Sequence, residues 1–168
     1  AYLDAYKLSL GIDPFESKKA TFSGREFTRG WATSFSNKFW LNNWSYKQRL
    51  YSTFDMTEKN LPFYVQDLNR YKPEVLNGFV SAIFQLAKFI EQKQLALTFQ
   101  VKAIFTTSET LLPFHRELIE KIFKCPVYNQ YASAEGAPFV TQCVAGNLHY
   151  NTDTGVIETL ETDAGTEM

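Results

Sequence analysis

The chain has 168 residues, of which 45% are hydrophobic and 21% are charged, a balance that excludes a disordered chain and suits one folded domain. Seventeen basic and eighteen acidic residues leave a formal charge of −1, so net charge gives no reason to expect a nucleic-acid or anionic-membrane partner. Two cysteines are too few for a disulfide framework, and no apolar run is long enough to span a bilayer, so we expect a soluble, cytoplasmic protein.

Helical and strand patterns alternate along most of the chain. In order, the predicted elements are a helix at 1–10, strands at 19–23 and 48–54, a helix from 61 to the residue before Pro73, a strand at 75–79, a helix capped by Ser81 that reaches Ile90, a strand at 102–106, a helix at 113–123 and a strand at 126–131. Residues 25–46 are predicted only as a loop with some strand. Strands that alternate with helices imply crossover connections, so we expect an α/β fold with a largely parallel sheet.

In such sheets the ligand crevice lies beyond the carboxyl ends of the strands. Two predicted strands end in polar sequence, at 106–109 and at 131–136. Glu135 is the only formally charged side chain between Cys125 and Thr152. A carboxylate in an uncharged segment either meets a cation, such as a divalent metal ion, or lies exposed in a loop at no cost. The spacing alone leaves both interpretations open.

Several segments resemble one family when they are taken in order. Y-A-S-A-E-G at 131–136 resembles the Tyr-Gly-x-Ser/Thr-Glu signature of adenylate-forming enzymes, and 102–127 is similar to the strand, helix and strand that precede it. A-T-F-S-G-R, L-Y-S-T-F, N-L-P-F-Y-V-Q-D-L-N-R-Y-K-P and G-F-V-S, farther upstream, also look family-like. Over roughly residues 1–162 the chain therefore resembles the phenylacetate–CoA ligase and CapK-like (capsular polysaccharide biosynthesis) branch of the adenylate-forming ligases.

This resemblance implies that residues 1–168 are a single α/β fragment from the interior of the family's large N-terminal domain. The phosphate loop would lie upstream of it, and the ribose-binding Asp and the C-terminal domain with its catalytic Lys would lie downstream. The parent would activate a small carboxylic acid with ATP and Mg²⁺ as an acyl-adenylate and pass the acyl group to CoA or to another nucleophile. The fragment alone is expected to be inactive, and its aromatic content of 16% is consistent with an exposed apolar surface through which it self-associates.

The resemblance also implies roles for individual residues. Glu135 would be the catalytic carboxylate and would ligate the Mg²⁺ that bridges the ATP phosphates, as a hard oxygen ligand for a hard cation. Tyr131 would lie against adenine, although a core tyrosine at a strand end is the alternative that the residues alone favour. Ser108 and Glu109 would line the nucleotide and acyl pocket, and Gly136 would let the backbone pass close to the ligand.

The sequence departs from the family signature at two positions. Ala134 replaces the hydroxyl residue that contacts the α-phosphate in the family, and Ala132 replaces a glycine. Ser133 would take over the contact to the α-phosphate only if the loop shifts. These changes support an alternative, a non-catalytic binding or scaffold domain in polysaccharide biosynthesis. A nucleotide-sugar enzyme with an unrelated Rossmann-like fold is a weaker third interpretation, because no strand is followed by a glycine-rich phosphate turn.

Cys143 and His149 form a second candidate group, a partial zinc site. Two ligands do not close a tetrahedral zinc site, so a complete one is not expected within the chain, although some relatives resemble this pattern with a further Cys pair downstream. The alternative is a buried thiol and a surface imidazole. His115, beside Arg116 and Glu117 on an amphipathic helix, is predicted to be a solvated side chain.

Overall fold

A computed structural model describes residues 2–25, 39–132, 138–156 and 158. In chain order the elements are α1 (Tyr2–Ser9), β1 (Lys19–Ser23), β2 (Trp40–Asn43), β3 (Gln48–Ser52), α2 (Leu61–Tyr71), β4 (Val75–Phe79), α3 (Val80–Gln92), β5 (Ala103–Thr107), α4 (Pro113–Phe123), β6 (Val127–Tyr131), β7 (Val140–Gln142) and β8 (Leu148–Tyr150). Short 3₁₀ turns occupy Trp44–Tyr46 and Thr152–Thr154. None of the helices in these ranges has both the length and the apolar character needed to cross a membrane.

The strands form one sheet with the order β2-β3-β1-β4-β5-β6-β7-β8. The five central strands, from β3 to β6 in that order, are parallel to their neighbours. The strands β2, β7 and β8 extend the sheet in antiparallel orientation at its two edges. The predicted α/β fold with a largely parallel sheet is thus confirmed, and the antiparallel edges are an addition that the sequence analysis did not predict.

The main core lies between the sheet and the helices α2, α3 and α4. Alternate strand residues point into it, as β1 shows with buried Ala20 and Phe22 on either side of half-buried Thr21. A smaller core on the opposite face contains Val75, Ala103 and Phe105, and Tyr6 of α1 packs against it. The strand β5 is buried on both faces, as a central strand of a parallel sheet should be.

Two local predictions were wrong. Ser81 does not cap α3, because the helix already begins at Val80 and the Ser81 hydroxyl bonds to Glu109 instead. His115 is half-buried rather than solvated, and its ring packs at 4.7 Å from that of Phe84 and 4.1 Å from that of Phe114, measured between centroids. The helical pattern placed His115 beside charged neighbours, but the aromatic contact across to α3 is not visible in that pattern.

Candidate functional site

A pocket of about 450 Å³ opens at the carboxyl ends of β5 and β6. The two strands are parallel neighbours, so their carboxyl ends meet at the same edge of the sheet, where ligands bind in open α/β folds. The described lining consists of Ser108, Glu109, Thr110, Asn129, Gln130, Tyr131 and Ala132. The fold therefore brings together three of the residues selected from the sequence: Ser108, Glu109 and Tyr131.

Tyr131 is the last residue of β6 and is 59% exposed. Its backbone pairs with Val140 of β7, which fixes the strand end from which the side chain projects. A core tyrosine at this position is therefore excluded, and the ring is accessible at the pocket. An accessible aromatic ring offers a flat face on which a planar base can stack.

The opposite side of the pocket is a turn formed by Ser108, Glu109 and Thr110. Ser108 follows β5 directly and has a φ of +66°, a left-handed conformation that is unfavourable for a side-chain-bearing residue. The Glu109 carboxylate does not stand free in the pocket. It accepts hydrogen bonds from the Ser81 N–H at 2.6 Å and from the Ser81 hydroxyl at 2.8 Å.

The other predicted residues of this site, Ser133, Glu135 and Gly136, lie outside the described residues, as does Ala134. The described chain leads into this segment at Ala132, which lines the pocket, and resumes at Pro138. The roles assigned to Glu135, Ser133 and Gly136 remain predictions.

A hydrogen-bonded network holds the end of β6 in place. The side-chain oxygen of Gln142 on β7 accepts hydrogen bonds from the Asn129 N–H at 3.1 Å and from Nη2 of Arg116 at 2.7 Å. Arg116 also donates to the carbonyl of Val127. One residue of α4 and one of β7 thus fix the strand that carries Tyr131. No pattern in the sequence indicates this network or the place of Asn129 and Gln130 in the pocket lining, because the partners come from different elements.

Cys143 and His149 lie together on the β7–β8 hairpin. His149 pairs with Thr141, and Cys143 follows Thr141 by two residues, so both side chains leave the same face of the sheet. They line a separate pocket of about 180 Å³ with Tyr6 and Ser9 of α1 and with Leu10, which follows that helix. The Tyr6 hydroxyl donates a hydrogen bond of 2.5 Å to the Gln142 carbonyl, which holds α1 against the hairpin.

The sulfur of Cys143 shares a hydrogen bond with His149, and this bond is the main reason that the pKa of the thiol is lowered. Within the described ranges there is no group of three or more His, Cys, Asp or Glu residues placed to hold a metal ion. Among the described residues, the structure thus brings together the two candidate zinc ligands without a third.

No protein-family model matches the chain. Its sequence is 38% identical to protein CapK of Staphylococcus aureus over 158 residues, which make up 94% of this chain and 34% of CapK. The fold is similar to that of 2-hydroxyisobutyryl-CoA ligase in the postadenylation state with R3-HIB-AMP, with a TM-score of 0.55 and 20% identity over 80% of this chain. An open form of that ligase with 2-HIB-AMP and CoA gives a TM-score of 0.52 and 19% identity over 79% of this chain.

The matches cover only part of each relative. The chain spans 34% of the length of CapK and 28% of that of each ligase structure. The similarity to CapK is one of sequence, and the similarity to the ligase, at 19–20% identity, is one of fold. Together they agree with the resemblance seen in the sequence: this chain is similar to CapK over most of its own length and has the fold of part of a CoA ligase.

Proposed function

We propose that the full-length protein containing this chain is an ATP-dependent ligase that activates a carboxylic acid as an acyl-adenylate. It then transfers the acyl group to a thiol such as CoA or to another nucleophile. The observation that carries the proposal is the pocket at the carboxyl ends of β5 and β6, with exposed Tyr131 on one side and the 108–110 turn on the other. Such a crevice could accept many ligands. The similarity to CapK and the fold shared with a CoA ligase support ATP and a carboxylic acid as the ligands.

The described lining suits a nucleotide. Tyr131 offers a ring face for adenine, and stacking of a base on an aromatic side chain contributes about 1–3 kcal/mol to binding. Ser108, Thr110, Asn129 and Gln130 supply hydroxyl and amide groups around it, which can bond to the polar edges of a base or a sugar. We assign the binding of adenosine to this wall.

Glu135 is our candidate ligand for the Mg²⁺ that accompanies ATP. Glu109 is the carboxylate in the described lining, and both of its oxygens already accept hydrogen bonds from Ser81. That engagement makes Glu109 a poor choice for the metal and favours Glu135 on the adjoining segment. Bound Mg²⁺ would neutralise phosphate charge.

Catalysis of this reaction depends mainly on positioning the two reactants and on stabilising the charge of the phosphates. The acid's carboxylate attacks the α-phosphate in line and pyrophosphate leaves, so the protein needs no covalent intermediate. Tyr131 would orient the nucleotide through its base, and Gly136 would let the backbone approach it closely. Ser133 would bond to the α-phosphate in place of the missing hydroxyl at position 134.

We also propose that residues 1–168 alone do not form an acyl-adenylate, because the phosphate loop, the ribose-binding Asp and the catalytic Lys would come from other parts of the protein. Large apolar side chains such as Trp44, Phe54 and Phe15 are at least 60% exposed in the chain. Surfaces of this kind support the expectation that the isolated chain self-associates. Size-exclusion chromatography with light scattering measures the mass of the species directly.

The test of the catalytic role is a Glu135→Gln variant of the full-length protein. We expect acid-dependent ATP–pyrophosphate exchange to fall by at least about a hundredfold, as for the loss of a group that stabilises charge in the transition state, with an unchanged melting temperature. Glu117→Gln, on the exposed side of α4, makes the same chemical change away from the pocket and should leave exchange intact. Unchanged exchange in Glu135→Gln would remove Glu135 from the mechanism.

The test of the nucleotide wall is the pair Tyr131→Phe and Tyr131→Ala. Phenylalanine keeps the stacking face, so the Kd for ATP should change little, whereas alanine should raise it about tenfold. An equal loss in both variants would point to the hydroxyl group and not to stacking.

The substitutions at Ala132 and Ala134 keep the scaffold alternative open. If the complete protein is a non-catalytic domain of polysaccharide biosynthesis, it should fail to bind Mg·ATP in calorimetry even at millimolar nucleotide. Binding without pyrophosphate exchange over a broad panel of carboxylic acids would instead indicate a nucleotide-binding module.

A further inference from the structure

Glu109 and Ser81 are joined by two hydrogen bonds across 28 positions of the chain. Ser81 is the second residue of α3, so its N–H has no partner within the helix. A carboxylate is well suited to this place, because it accepts a hydrogen bond from the free N–H and its negative charge lies at the positive end of the helix dipole. The residue before α3 makes no capping hydrogen bond through its side chain. Glu109, in the connection between β5 and α4, supplies the missing acceptor. We refer to this pair of bonds as the Glu109–Ser81 clasp.

The clasp acts on one wall of the pocket. Glu109 lies in the middle of the 108–110 turn, next to Ser108 with its left-handed backbone. Such a conformation persists when the surrounding structure holds it. Two hydrogen bonds to the start of a helix of thirteen residues tie the turn to a rigid element packed on the sheet.

We infer that Glu109 is a positioning residue, which fixes the 108–110 wall opposite Tyr131 through Ser81 and does not act as a ligand of nucleotide or metal. This inference rests on the proposed function for the identity of the ligand, a nucleotide, but the clasp itself does not. It also revises the role that the family resemblance implied for Glu109, which was a direct lining contact.

Three substitutions separate the two roles. Glu109→Gln removes the charge but keeps an oxygen to accept from the Ser81 N–H and an amide to donate to the rotatable hydroxyl. Glu109→Ala removes both bonds, and Ser81→Ala removes one of them from the other side. If Glu109 were a ligand through its charge, glutamine would be as harmful as alanine and Ser81→Ala would be harmless.

The experiment measures two quantities in the full-length protein and its variants: the Kd for ATP and the hydrogen–deuterium exchange of peptides covering 80–84 and 106–111. We expect Glu109→Ala to raise the Kd about tenfold, as for the loss of the two hydrogen bonds that hold the turn, and to speed exchange in both peptides. Glu109→Gln should restore both quantities to within about twofold of the unmodified protein, because the geometry is retained. Adding Ser81→Ala to Glu109→Ala should cause no further loss, since both changes break the same clasp.

Two results would overturn the inference. One is a Kd for Glu109→Gln as high as that for Glu109→Ala, and the other is unchanged exchange in Glu109→Ala. If the unmodified protein binds no ATP, the proposed function fails, and with it the nucleotide part of the inference, while the exchange measurement still decides whether the clasp holds the turn. If Glu109→Ala does not fold, the comparison of Ser81→Ala with Glu109→Gln decides, with loss expected in the first and retention in the second.

Discussion

Nη1 of Arg49 on β3 donates to both carboxylate oxygens of Asp67 on α2, each at 2.8 Å. The Tyr51 hydroxyl donates to the same carboxylate at 2.7 Å, and the Arg49 guanidinium lies 4.2 Å from the centre of the Tyr71 ring. The side chains of Asp67 and Arg49 are only 5% and 13% exposed. This buried ion pair ties the first crossover helix to the edge of the parallel sheet.

Replacing Asp67 with Asn should strongly destabilise the fold. The change leaves the guanidinium of Arg49 largely buried without its opposite charge, and breaking a buried pair from one side costs about 3 kcal/mol or more. Urea denaturation followed by circular dichroism gives the free energy of unfolding. Glu58→Gln, an equivalent change at an exposed position, should alter it by less than about 0.5 kcal/mol. Similar midpoints for the two variants would show that the pair contributes little.

Gly78 on β4 is the second position where the fold should tolerate little change. It lies opposite Phe22 of β1 with a φ of +152°, and a Cβ added there would be 2.7 Å from the Phe22 carbonyl oxygen. Gly78→Ala should therefore cost about 3 kcal/mol, from backbone strain together with overpacking against a main-chain atom.

Gly24 provides the matched control for Gly78. A Cβ at Gly24 would meet its nearest neighbour, the Phe79 ring, at an ordinary 3.6 Å. Gly24→Ala should therefore change the free energy of unfolding by no more than about 1 kcal/mol in either direction. Equal effects of the two alanine substitutions in the same thermal or urea titration would contradict the close approach of β1 and β4.

Two helices end at a lysine in the left-handed conformation. Lys72 follows α2 with a φ of 55°, and Lys124 follows α4 with a φ of 53°. Glycine is the usual residue at such positions because it has no Cβ to strain. Lys124→Gly should raise the free energy of unfolding by about 0.5 kcal/mol, since relief of strain exceeds the added freedom of the unfolded chain.

The same substitution inside a helix should have the opposite sign. Lys88 is exposed in the middle of α3, where glycine costs about 1 kcal/mol relative to a good helix former. Chemical denaturation of Lys124→Gly and Lys88→Gly side by side therefore tests the helix boundary itself. Destabilisation by both would mean that α4 does not end at Phe123, immediately before Lys124.

The sequence pattern was enough to predict the central strands, and the reason is burial. Val75–Phe79 and Ala103–Thr107 are short runs flanked by turn residues, as expected for strands covered by helices. The edge strands are only three or four residues long and range from half-buried to exposed, so their sequences carry little periodic signal; they are Trp40–Asn43, Val140–Gln142 and Leu148–Tyr150.

The site was predictable only in part, for a related reason. Tyr131 ends the predicted strand at 126–131 and Ser108 lies just beyond the one at 102–106, so the general rule for parallel sheets points to both positions, while their roles came from the family resemblance. The partner of Glu109 is Ser81, a residue 28 positions earlier that reads from the sequence as a helix cap. Pairings of this kind depend on where two helices begin relative to one sheet edge, and a single sequence does not contain that geometry.

The two cysteines should differ sharply in reactivity, and the difference should depend on pH. Burial raises the pKa of the Cys125 thiol to about 12, whereas the hydrogen bond with His149 lowers the pKa of Cys143. Because the thiolate is the nucleophile, iodoacetamide should label Cys143 first at neutral pH and reach Cys125 only after unfolding. As the pH falls, labelling of Cys143 should persist below the range in which a free thiol, with a pKa of about 8.5, loses its thiolate. His149→Gln should move the labelling curve to higher pH, towards the curve of N-acetylcysteine. Both curves are measured side by side in the presence of EDTA. An unmoved curve would show that His149 does not stabilise the thiolate.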